Sequence, residues 1–458
     1  MRLFIYVILS AGMALPQIKM PQFERVVLDN GAVLVMMPKR DLPLVTIRVA
    51  VKGGSEADPA GLEGLGTITA EMLTLGTASR SREKLAQDLD QLGIEIQSRL
   101  THQYAGLQME YLTKDGEKAL GLFEDLLLHP AFAETEFKRL AAQKIDAVKV
   151  AKDQPPVAIL QYLPAFYFGK MHPYGRALNG DEVSLPKITR SAVEQFWKSN
   201  YVGKNLVVIV GGDFDAAAMR DRMTALVGKF PAGSAYVWKQ APPVERSRKA
   251  RLLLVDLPEA TQTYFAIAQP GIARTDPDRT PLELVNTLFG GRFTSMLNEA
   301  LRIDSGLSYG ASSSVEMDRL PGMISISSFT KTDTTVAAID LALKQLEKLN
   351  RAGIDVEQLS SAKAYVKGSY PTRRLETVDR LSMILTDMEV YGLNRGEVDD
   401  FISRVDSVNL EKANGSARKY YKSDGLVFVL IGNAVKIRNL VGKYAKDVTE
   451  VKITTPGY

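Results

Sequence analysis

The stretch LVVIVGGD (206–213) decides the fold, because it returns 220 positions later as LVFVLIGN (426–433). Each copy is an apolar run of strand length that ends in a glycine and a polar residue, and each is followed by a helical pattern. The two helical patterns end in VGKF (227–230) and VGKY (441–444). A strand, a turn and a helix repeated at this separation predict a duplicated domain and not a solenoid of short repeats.

The patterns around these copies predict two α+β domains with mostly antiparallel sheets. A helix opens with EFKR (136–139) in the first half and with EQL (357–359) at the corresponding place in the second half. Strands and helices occur in runs, and hairpins connect the strands, which is typical of α+β domains.

A hairpin is predicted near the start of the first domain. The strand patterns FERVVL (23–28) and AVLVMM (32–37) flank Asn30-Gly31. We expect a type I′ turn at this dipeptide, because both of its residues tolerate a positive φ.

Length and composition predict two domains and a linker between them. The chain has 458 residues, which is too long for one ordinary hydrophobic core. The segment VWKQAPPVERSRKA (237–250) contains two consecutive prolines and five charged residues. That composition is typical of an exposed linker, and an ordinary surface loop is the alternative. We therefore predict a first domain over 21–236, the linker over 237–250 and a homologous second domain over 251–458.

Residues 1–20 have the pattern of a secretory signal. Arg2 precedes an apolar stretch over 3–15, and the small residues Gly12 and Ala14 offer a cleavage position. The stretch is too short to predict a membrane span, so no stable membrane anchor is expected. The alternative is a buried N-terminal strand, because FIYVIL (4–9) is strand-like. An exported protein without cysteine fits a bacterial periplasm, and the cytoplasm is the alternative location.

Charge and residue inventory exclude several functional classes. The net charge is +4 from 57 basic and 53 acidic residues, with no long basic run, so nucleic acid is not an expected partner. The chain has no cysteine, which excludes thiolate zinc sites, disulfides and cysteine nucleophiles. Its three histidines, His102, His129 and His172, are never four residues apart. No helical turn can therefore present two imidazoles to one metal ion, and we expect all three to be structural.

The stretch GLEGLGTITAEMLTLGT (61–77) resembles the zinc-site helix of the pitrilysin/insulinase family, the peptidases with an inverted zinc motif. That family has His-x-x-Glu-His before a Met-Leu or Met-Phe pair and a Gly-Thr, and Met72-Leu73 and Gly76-Thr77 match here. Other family landmarks occur in order: Gly53-Gly54-Ser55, His129-Pro130-Ala131-Phe132, His172-Pro173-Tyr174-Gly175 and Gly290-Gly291-Arg292-Phe293-Thr294-Ser295. The resemblance covers nearly everything after about residue 22, and it is strongest to the processing-peptidase branch. It implies two homologous domains that form half of a clamshell, with a second half needed for a working peptidase.

The four positions that match the family's zinc site carry other residues. Thr67, Ala70 and Glu71 stand where the resemblance places His, Glu and His, and Ala147 stands where it places the third ligand, a Glu. Threonine and alanine supply neither a zinc ligand nor a general base. We therefore expect no zinc in this chain and no peptidase activity of the chain alone.

The stretch LRIDSGLSYG (301–310) resembles the family's substrate-binding element, an Arg and a Tyr that flank Gly-Leu. The pattern predicts Arg302 in the last turn of a helix that begins near Ser295, and Tyr309 at the start of the next strand. By resemblance, the two side chains bind backbone oxygens of a peptide near the scissile bond, a role that suits two hydrogen-bond donors. The alternative is a surface Arg302 paired with Asp304 and a buried Tyr309.

Together these features predict a non-zinc subunit of a heterodimeric zinc peptidase. We expect the partner to be a homologous zinc-bearing chain, and the substrate to be an extended peptide. The chain itself then needs no cofactor, and any part that it has in an enzyme depends on that partner. The short loop GGRF (290–293) argues against the processing-peptidase subunit that uses a long glycine-rich loop. Two alternatives stay open: an inactive structural subunit of a larger complex, and a homodimeric peptide-binding or scaffold protein.

Overall fold

The computed structural model describes residues 18–244, 247 and 249–458. Residues 1–17, most of the predicted signal, lie outside the described residues. The described part contains two six-stranded sheets, one in each half of the chain. The strands of the first sheet are β1 (Glu24–Val27), β2 (Val33–Pro38), β3 (Leu44–Lys52), β4 (Glu95–Leu100), β5 (Tyr104–Leu112) and β6 (Leu206–Gly212). Those of the second sheet are β7 (Arg251–Asp256), β8 (Gln262–Pro270), β9 (Ala311–Met317), β10 (Pro321–Lys331), β11 (Val427–Gly432) and β12 (Asp447–Lys452).

Helices join the strands and cover the sheets. In the first half they are α1 (Leu65–Met72), α2 (Arg82–Leu92), α3 (Gly116–Leu128), α4 (Glu134–Lys152), α5 (Pro155–Phe168), α6 (Arg190–Asn200) and α7 (Ala216–Val227). In the second half they are α8 (Arg279–Asn286), α9 (Met296–Asn298), α10 (Thr335–Ala352), α11 (Val356–Tyr370), α12 (Val378–Tyr391), α13 (Gly396–Asp399), α14 (Phe401–Asp406), α15 (Leu410–Tyr420) and α16 (Ala434–Val441). The segments Thr287–Gly291, Glu299–Asp304 and Pro371–Leu375 are π-helical, and single 3₁₀ turns lie at Gly54–Ala57, Thr113–Asp115, Pro173–Gly175, Leu185–Lys187, Gly203–Asn205 and Thr332–Thr334. Among the helices of the described part, none is both long and apolar enough to cross a bilayer.

The two sheets have the same strand order apart from one outer strand. The first runs β1-β2-β6-β3-β5-β4 and the second runs β12-β7-β11-β8-β10-β9. In both sheets the strand of the sequence repeat, β6 or β11, lies third, parallel to one neighbour and antiparallel to the other. The outer strand β1 is antiparallel to β2, whereas the outer strand β12 is parallel to β7. The predicted fold class, α+β with two mostly antiparallel sheets, is confirmed.

The predicted type I′ turn between β1 and β2 is wrong. Gly31 has a φ of 86°, but Phe132 alone among the described non-glycine residues has a positive φ, so Asn30 does not. Gly31 N donates to Leu28 O at 2.8 Å, which fits a type I turn followed by a glycine bulge. The side-chain amide of Asn30 instead donates to Val227 O and Phe230 O at 2.9 and 3.0 Å. Contacts with a distant segment therefore set the conformation of this turn.

The two halves exchange a helix. Each sheet packs on one face against helices of its own half and on the other face against a helix of the opposite half. Helix α12 places Ile384 and Leu385 on the first sheet, and helix α5 places Ile159 and Leu163 on the second sheet. Each half therefore buries apolar surface that the other half would otherwise leave exposed to water.

A buried polar network also joins the halves. Arg319 Nη2 donates to Glu56 Oε2 at 3.0 Å, and Glu56 is fully buried. Burial raises the pKa of Glu56, and the nearby Arg319 opposes that shift. Gln103 Nε2 donates to the hydroxyl of Tyr174 at 2.9 Å, and the hydroxyl of Tyr391 donates to Gln103 Oε1 at 3.0 Å. Because a buried charge without its partner is costly, these contacts fix one sheet against the other.

The described start of the predicted linker, residues 237–244, contains no helix or strand. Its Trp238 packs with the apolar cluster under α12. The guanidinium of Arg319 lies 5.1 Å from the centre of the Trp238 ring. This part of the connection is therefore held against the molecule.

Candidate functional site

Helix α1, which carries three of the degenerate zinc-site positions, is fixed at its N-terminus by Asp58. The carboxylate accepts hydrogen bonds from Gly64 N and Gly66 N, both at 2.8 Å. Burial raises the pKa of Asp58 to about 7, and the two backbone hydrogen bonds oppose this shift. Backbone donors at the start of a helix are a suitable partner for a carboxylate, so Asp58 has a structural role.

Thr67, Ala70 and Glu71 all lie on α1, and each is engaged in packing or pairing within the chain. Thr67 is buried, and its Oγ1 donates to Asn179 Oδ1 at 3.2 Å. Ala70 is buried and has no polar side-chain atom. Glu71 forms an ion pair with Lys144 of α4.

The ion pair between Glu71 and Lys144 connects α1 and α4, the two helices that a metal would connect in the family pattern. Ala147, the predicted third position, lies one helical turn after Lys144 and is exposed. An ammonium beside the only carboxylate of the set opposes binding of a cation there. These residues do not fit zinc, and the described part of the chain contains no group of three or more His, Cys, Asp or Glu placed to hold a metal ion.

Arg302 and Tyr309 lie side by side in the second half. The guanidinium carbon of Arg302 is 4.4 Å from the ring centre of Tyr309 and 4.9 Å from that of Phe293. Tyr309 is 74% exposed, and Arg302 forms no ion pair with a described residue. The alternative of a buried Tyr309 and an Arg302–Asp304 pair therefore does not describe the structure. The role of the two side chains in binding a substrate remains a prediction.

Local backbone chemistry brings these two side chains together. Ser295 caps α9, and the side-chain amide of Asn298 donates to Phe293 O at 2.8 Å while its oxygen accepts from Ala311 N at 3.3 Å. Arg302 lies in the π-helical segment 299–304 and not in the last turn of a regular α-helix. An α-helix was expected because the periodicity of such a short segment does not distinguish the two helix types.

The strand after Tyr309 begins later than predicted. Strand β9 starts at Ala311, because the carbonyl of Gly310 accepts hydrogen bonds from Ser308 Oγ at 2.8 Å and Ser328 Oγ at 2.9 Å. Side chains thus replace the strand ladder at this point. Tyr309 therefore projects from a bend before the strand.

A groove of about 750 Å³ lies beside the Arg302–Tyr309 pair. It is lined by the GGRF loop and by parts of β8, β9, β10, α5 and α11, with Phe293 and Gly310 among its walls. Arg292 and Arg373 also line it, with their guanidinium carbons 5.8 and 5.5 Å from the ring centre of Tyr365. The groove therefore combines apolar walls with cationic and aromatic groups, as ligand-binding clefts do.

A second groove, of about 800 Å³, adjoins the first across α5. Leu160 lines both grooves, and along β9 the residue Ser312 lines the first while Glu316 lines the second. Burial raises the pKa of Glu316 to about 7 and that of Asp318, which also lines this groove, to about 6. The charged residues that line the first groove are arginines. The lining of the second groove is mixed but mainly acidic: it has four carboxyl groups and two cationic groups (Glu63, Asp181, Glu316 and Asp318, with Lys170 and Arg176).

The histidines have the contacts of packing residues. His102 Nδ1 lies 3.0 Å from Ser55 Oγ, and its ring lies 4.8 Å from that of Tyr174. Burial lowers the pKa of His102 to about 4, so the imidazole is neutral at physiological pH. His172 Nδ1 accepts a hydrogen bond from Tyr174 N at 3.1 Å. Neither imidazole is therefore placed as a proton carrier for Arg302 and Tyr309.

Sequence reasoning did not identify Phe293, Tyr365 or Arg373 as part of this site. Phe293 could have been found, because it stands in the GGRF landmark beside Arg292. Tyr365 and Arg373 gave no local signal, since their approach to Arg292 depends on how α11 packs against the rest of the half.

Two family models match successive parts of the chain. Residues 34–182 match the model described as insulinase, peptidase family M16, and residues 187–366 match the model described as the peptidase M16 inactive domain. The chain belongs to peptidase family M16. Its M16 membership confirms the resemblance to the pitrilysin/insulinase family. The first match contains helix α1, and the second contains Arg302 and Tyr309.

Several bacterial M16 proteins are similar to this chain over most of its length. A Bacillus subtilis protein named uncharacterized zinc protease YmxG is 22% identical over 401 residues, which cover 88% of this chain and 96% of that protein. A Helicobacter pylori protein named non-peptidase homolog YmxG is 23% identical over 396 residues, which cover 86% of this chain and 90% of that protein. A crystal structure of a peptidase M16 inactive domain from Pseudomonas fluorescens has the same fold, with a TM-score of 0.83, 24% identity, and coverage of 90% of this chain and 98% of that chain.

Within family M16, this chain is an inactive member. The residues at the four zinc-site positions supply one carboxylate, and Lys144 already pairs with it. One of the similar proteins is itself named a non-peptidase homolog. Arg302 and Tyr309 of the second half are nevertheless present and adjacent, with Arg302 half-buried and Tyr309 exposed.

Proposed function

We propose that this M16 chain is the non-zinc subunit of a heterodimeric zinc peptidase. Its partner is a homologous chain with the intact zinc motif, and Arg302 and Tyr309 hold a peptide beside that partner's metal. The observation that carries the proposal is the contact between half-buried Arg302, which has no ion pair among the described residues, and exposed Tyr309. The chain's own zinc-site positions are meanwhile occupied by packing contacts and an ion pair.

The two side chains are suited to binding backbone carbonyls. A guanidinium has five N–H donors and a phenol has one hydroxyl donor. Stacking against Tyr309 and Phe293 orients the guanidinium of Arg302 and leaves its in-plane N–H groups available. Donors held in place before a substrate arrives polarise a carbonyl and stabilise negative charge that develops on its oxygen.

The proposed substrate is an extended peptide. Gly310 and Ser312, which precede and begin β9, line the groove beside the pair. A concave surface of this size, with a strand along one wall, can hold a backbone segment with little dependence on its sequence. The expected division of labour places chemistry in the partner and substrate positioning in this chain.

The deciding experiment mixes the purified chain with a homologous M16 chain that carries His-x-x-Glu-His, such as one from a neighbouring gene. Native mass spectrometry, zinc analysis and peptide cleavage are measured for each chain alone and for the mixture. We expect an equimolar complex, zinc in the partner only, and cleavage by the mixture well above the sum of the separate chains. A stable homodimer with neither complex formation nor stimulation of cleavage would contradict the proposal and favour a scaffold.

A further inference from the structure

We infer that the groove beside Arg302 selects acidic peptides, with Arg292 and Arg373 binding the carboxylates of residues next to the segment that Arg302 and Tyr309 hold. The inference rests on the proposed function for its premise that a peptide occupies this groove. It adds a substrate class: complementarity between the charges of the peptide and of the groove, and not peptide length, decides which peptides bind.

Arg292 and Arg373 are held in fixed orientations, but neither has a carboxylate partner among the described residues. Both guanidinium groups lie against the ring of Tyr365. Arg373 Nη2 donates to the hydroxyl of Tyr365 at 2.9 Å, and Arg292 Nη1 donates to Ser361 Oγ at 3.0 Å. Arg292 Nε is buried without a hydrogen-bond partner among the described residues. Neither arginine forms an ion pair with a described residue, so both keep donors for a ligand.

Other arginines of the same half show the contrast. Arg274 and Arg279 share the carboxylate of Glu397, at 3.0 and 2.6 Å. An arginine without such a carboxylate, held by an aromatic ring at the wall of a cleft, is suited to a planar anion supplied from outside.

Consecutive residues of the GGRF loop contact the two groups of arginine and aromatic side chains. Arg292 contacts Tyr365, while the next residue, Phe293, contacts Arg302. The two arginine–aromatic clusters therefore flank one loop. Consecutive residues of an extended peptide are spaced about 3.3 Å apart, so one short segment can reach both clusters. Its backbone would lie at Arg302 and its acidic side chains at Arg292 and Arg373.

A peptide fits this groove better than a nucleic acid. The walls include Ile159, Phe265 and Phe329, which are apolar and suit side chains. The adjoining groove is mainly acidic, because Glu63 already pairs with Arg176 and Lys170 faces three further carboxyl groups, so a phosphate backbone that continued along the cleft would meet net repulsion. Acidic residues confined to one end of a peptide meet no such repulsion.

The test measures binding by the full chain without a partner. Fluorescence anisotropy follows short labelled peptides that differ only in carrying glutamate, glutamine or lysine at alternate positions. We expect the glutamate peptide to bind at least about tenfold more tightly than the glutamine peptide, because hydrogen bonds to ionised groups are the strong ones. The affinity should fall as salt is raised, and the lysine peptide should bind most weakly.

Matched variants assign the effect to the two arginines. Arg292→Gln with Arg373→Gln should abolish the preference for glutamate. Lys348→Gln with Arg351→Gln removes the same charge from exposed positions of α10 that line neither groove, and should keep the preference. Arg292→Lys with Arg373→Lys keeps the charge, so part of the preference should remain if the first variant folds poorly.

Three results would overturn the inference: equal affinity for the glutamate and glutamine peptides, equal loss of preference in both double variants, or displacement of the peptide by a short single-stranded oligonucleotide that binds more tightly. The outcomes are separable from those of the proposed function. If the chain binds glutamate peptides through Arg292 and Arg373 but has no zinc-bearing partner, this inference holds and the proposed function is contradicted. A complex that cleaves neutral and acidic peptides equally removes this inference alone.

Discussion

The segment after β3 in the first half and the segment after β8 in the second half occupy equivalent places in equivalent sheets, and they differ in how their charges are paired. In the first half Glu71 is neutralised by Lys144, and Thr67 is buried with its hydroxyl bonded. In the second half Arg302 lies against the rings of Phe293 and Tyr309 and has no ion pair among the described residues, and Tyr309 is exposed. One copy of the fold has its polar groups satisfied internally, whereas the other keeps strong donors free.

This difference separates positions that stabilise the fold from positions available to a ligand. A charged group that the chain itself pairs contributes to packing and has little left to offer a substrate. A charged group that is oriented but unpaired has already lost part of its conformational freedom, which lowers the entropic cost of binding. Substitutions in the two halves can test this difference.

The largest effect is expected from the exchanged helices, which make the halves equivalent in packing. Leu385→Ala in α12 and Leu163→Ala in α5 each remove a buried side chain from the sheet of the opposite half. Each should lower the free energy of unfolding by about 3 kcal/mol, through lost burial and the cavity that remains. Urea unfolding followed by circular dichroism measures the cost. Leu160→Ala, at a position 68% exposed, is the control and should change stability by less than about 0.5 kcal/mol. If the two substitutions lower the free energy of unfolding by clearly different amounts, the two exchanged helices are not equivalent in packing.

The second effect concerns function of the second half. In the complex with a zinc-bearing partner, Arg302→Ala combined with Tyr309→Phe should lower kcat/KM about 100-fold, because aligned donors to a reacting carbonyl are worth that much. Native mass and melting temperature should be unchanged, since Tyr309 is exposed and Arg302 is only half-buried. Arg351→Gln on α10 is the charge-matched control. Full activity of the double variant would show that Arg302 and Tyr309 do not bind the substrate. The contribution of this subunit would then be limited to enclosing the peptide.

The third effect concerns the first half. Glu71 and Lys144 are 27% and 24% exposed, so their ion pair is only partly screened by solvent. A double-mutant cycle with Glu71→Gln and Lys144→Met should give a coupling energy of about 1 kcal/mol, reduced by salt. Thermal unfolding of the four proteins measures it. Added zinc should not stabilise the Lys144→Met variant, because Thr67 and Ala70 still supply no ligand. Zinc-dependent stabilisation of that variant would contradict the structural reading of this region.

The smallest effect is a pH dependence of peptide binding. Burial raises the pKa of Glu316 to about 7 and that of Asp318 to about 6, so both lose charge as the pH falls from 8 to 5.5. Ordinary glutamates of a peptide stay ionised over that range. Affinity for an acidic peptide should therefore rise about threefold on acidification, because repulsion from the neighbouring groove weakens. Glu316→Gln should flatten the profile in anisotropy titrations. If Glu316→Gln leaves the pH profile unchanged, the charge of Glu316 in the second groove does not affect peptide binding in the first.

The sequence predicted what local patterns encode. Ser81 is of a residue type that commonly caps helices, and its side chain accepts a hydrogen bond from Lys84 N at the start of α2. The strand–turn–helix repeat lies at the same place in both sheets, as β6–α7 and β11–α16. Arg302 and Tyr309 flank Gly306-Leu307 in the sequence, and their side chains lie against each other. These features depend on short segments whose chemistry is visible in the printed sequence.

Features that depend on distant contacts were missed. The type I′ turn failed because the Asn30 side chain binds carbonyls some 200 positions away. The cluster of Arg292, Tyr365 and Arg373 forms only once α11 has packed. The exchange of α5 had a sequence signal, because PPVAILQYLPAFYF (155–168) is apolar almost all round and such a helix is buried on several sides. Periodicity alone, however, does not say which sheet buries it.

The exchanged helices also affect folding during synthesis, because the ribosome makes the chain from its N-terminus. Every strand of the first sheet has been synthesised when Gly212 emerges, but α12, which covers one of its faces, begins only at Val378. Until then the apolar residues of that face, Val33, Val35, Val207 and Ile209, lack the cover of α12. Nascent chains with uncovered sheets are prone to association. The first half therefore completes its fold only near the end of translation, and the protein matures as one unit, although its architecture is that of two.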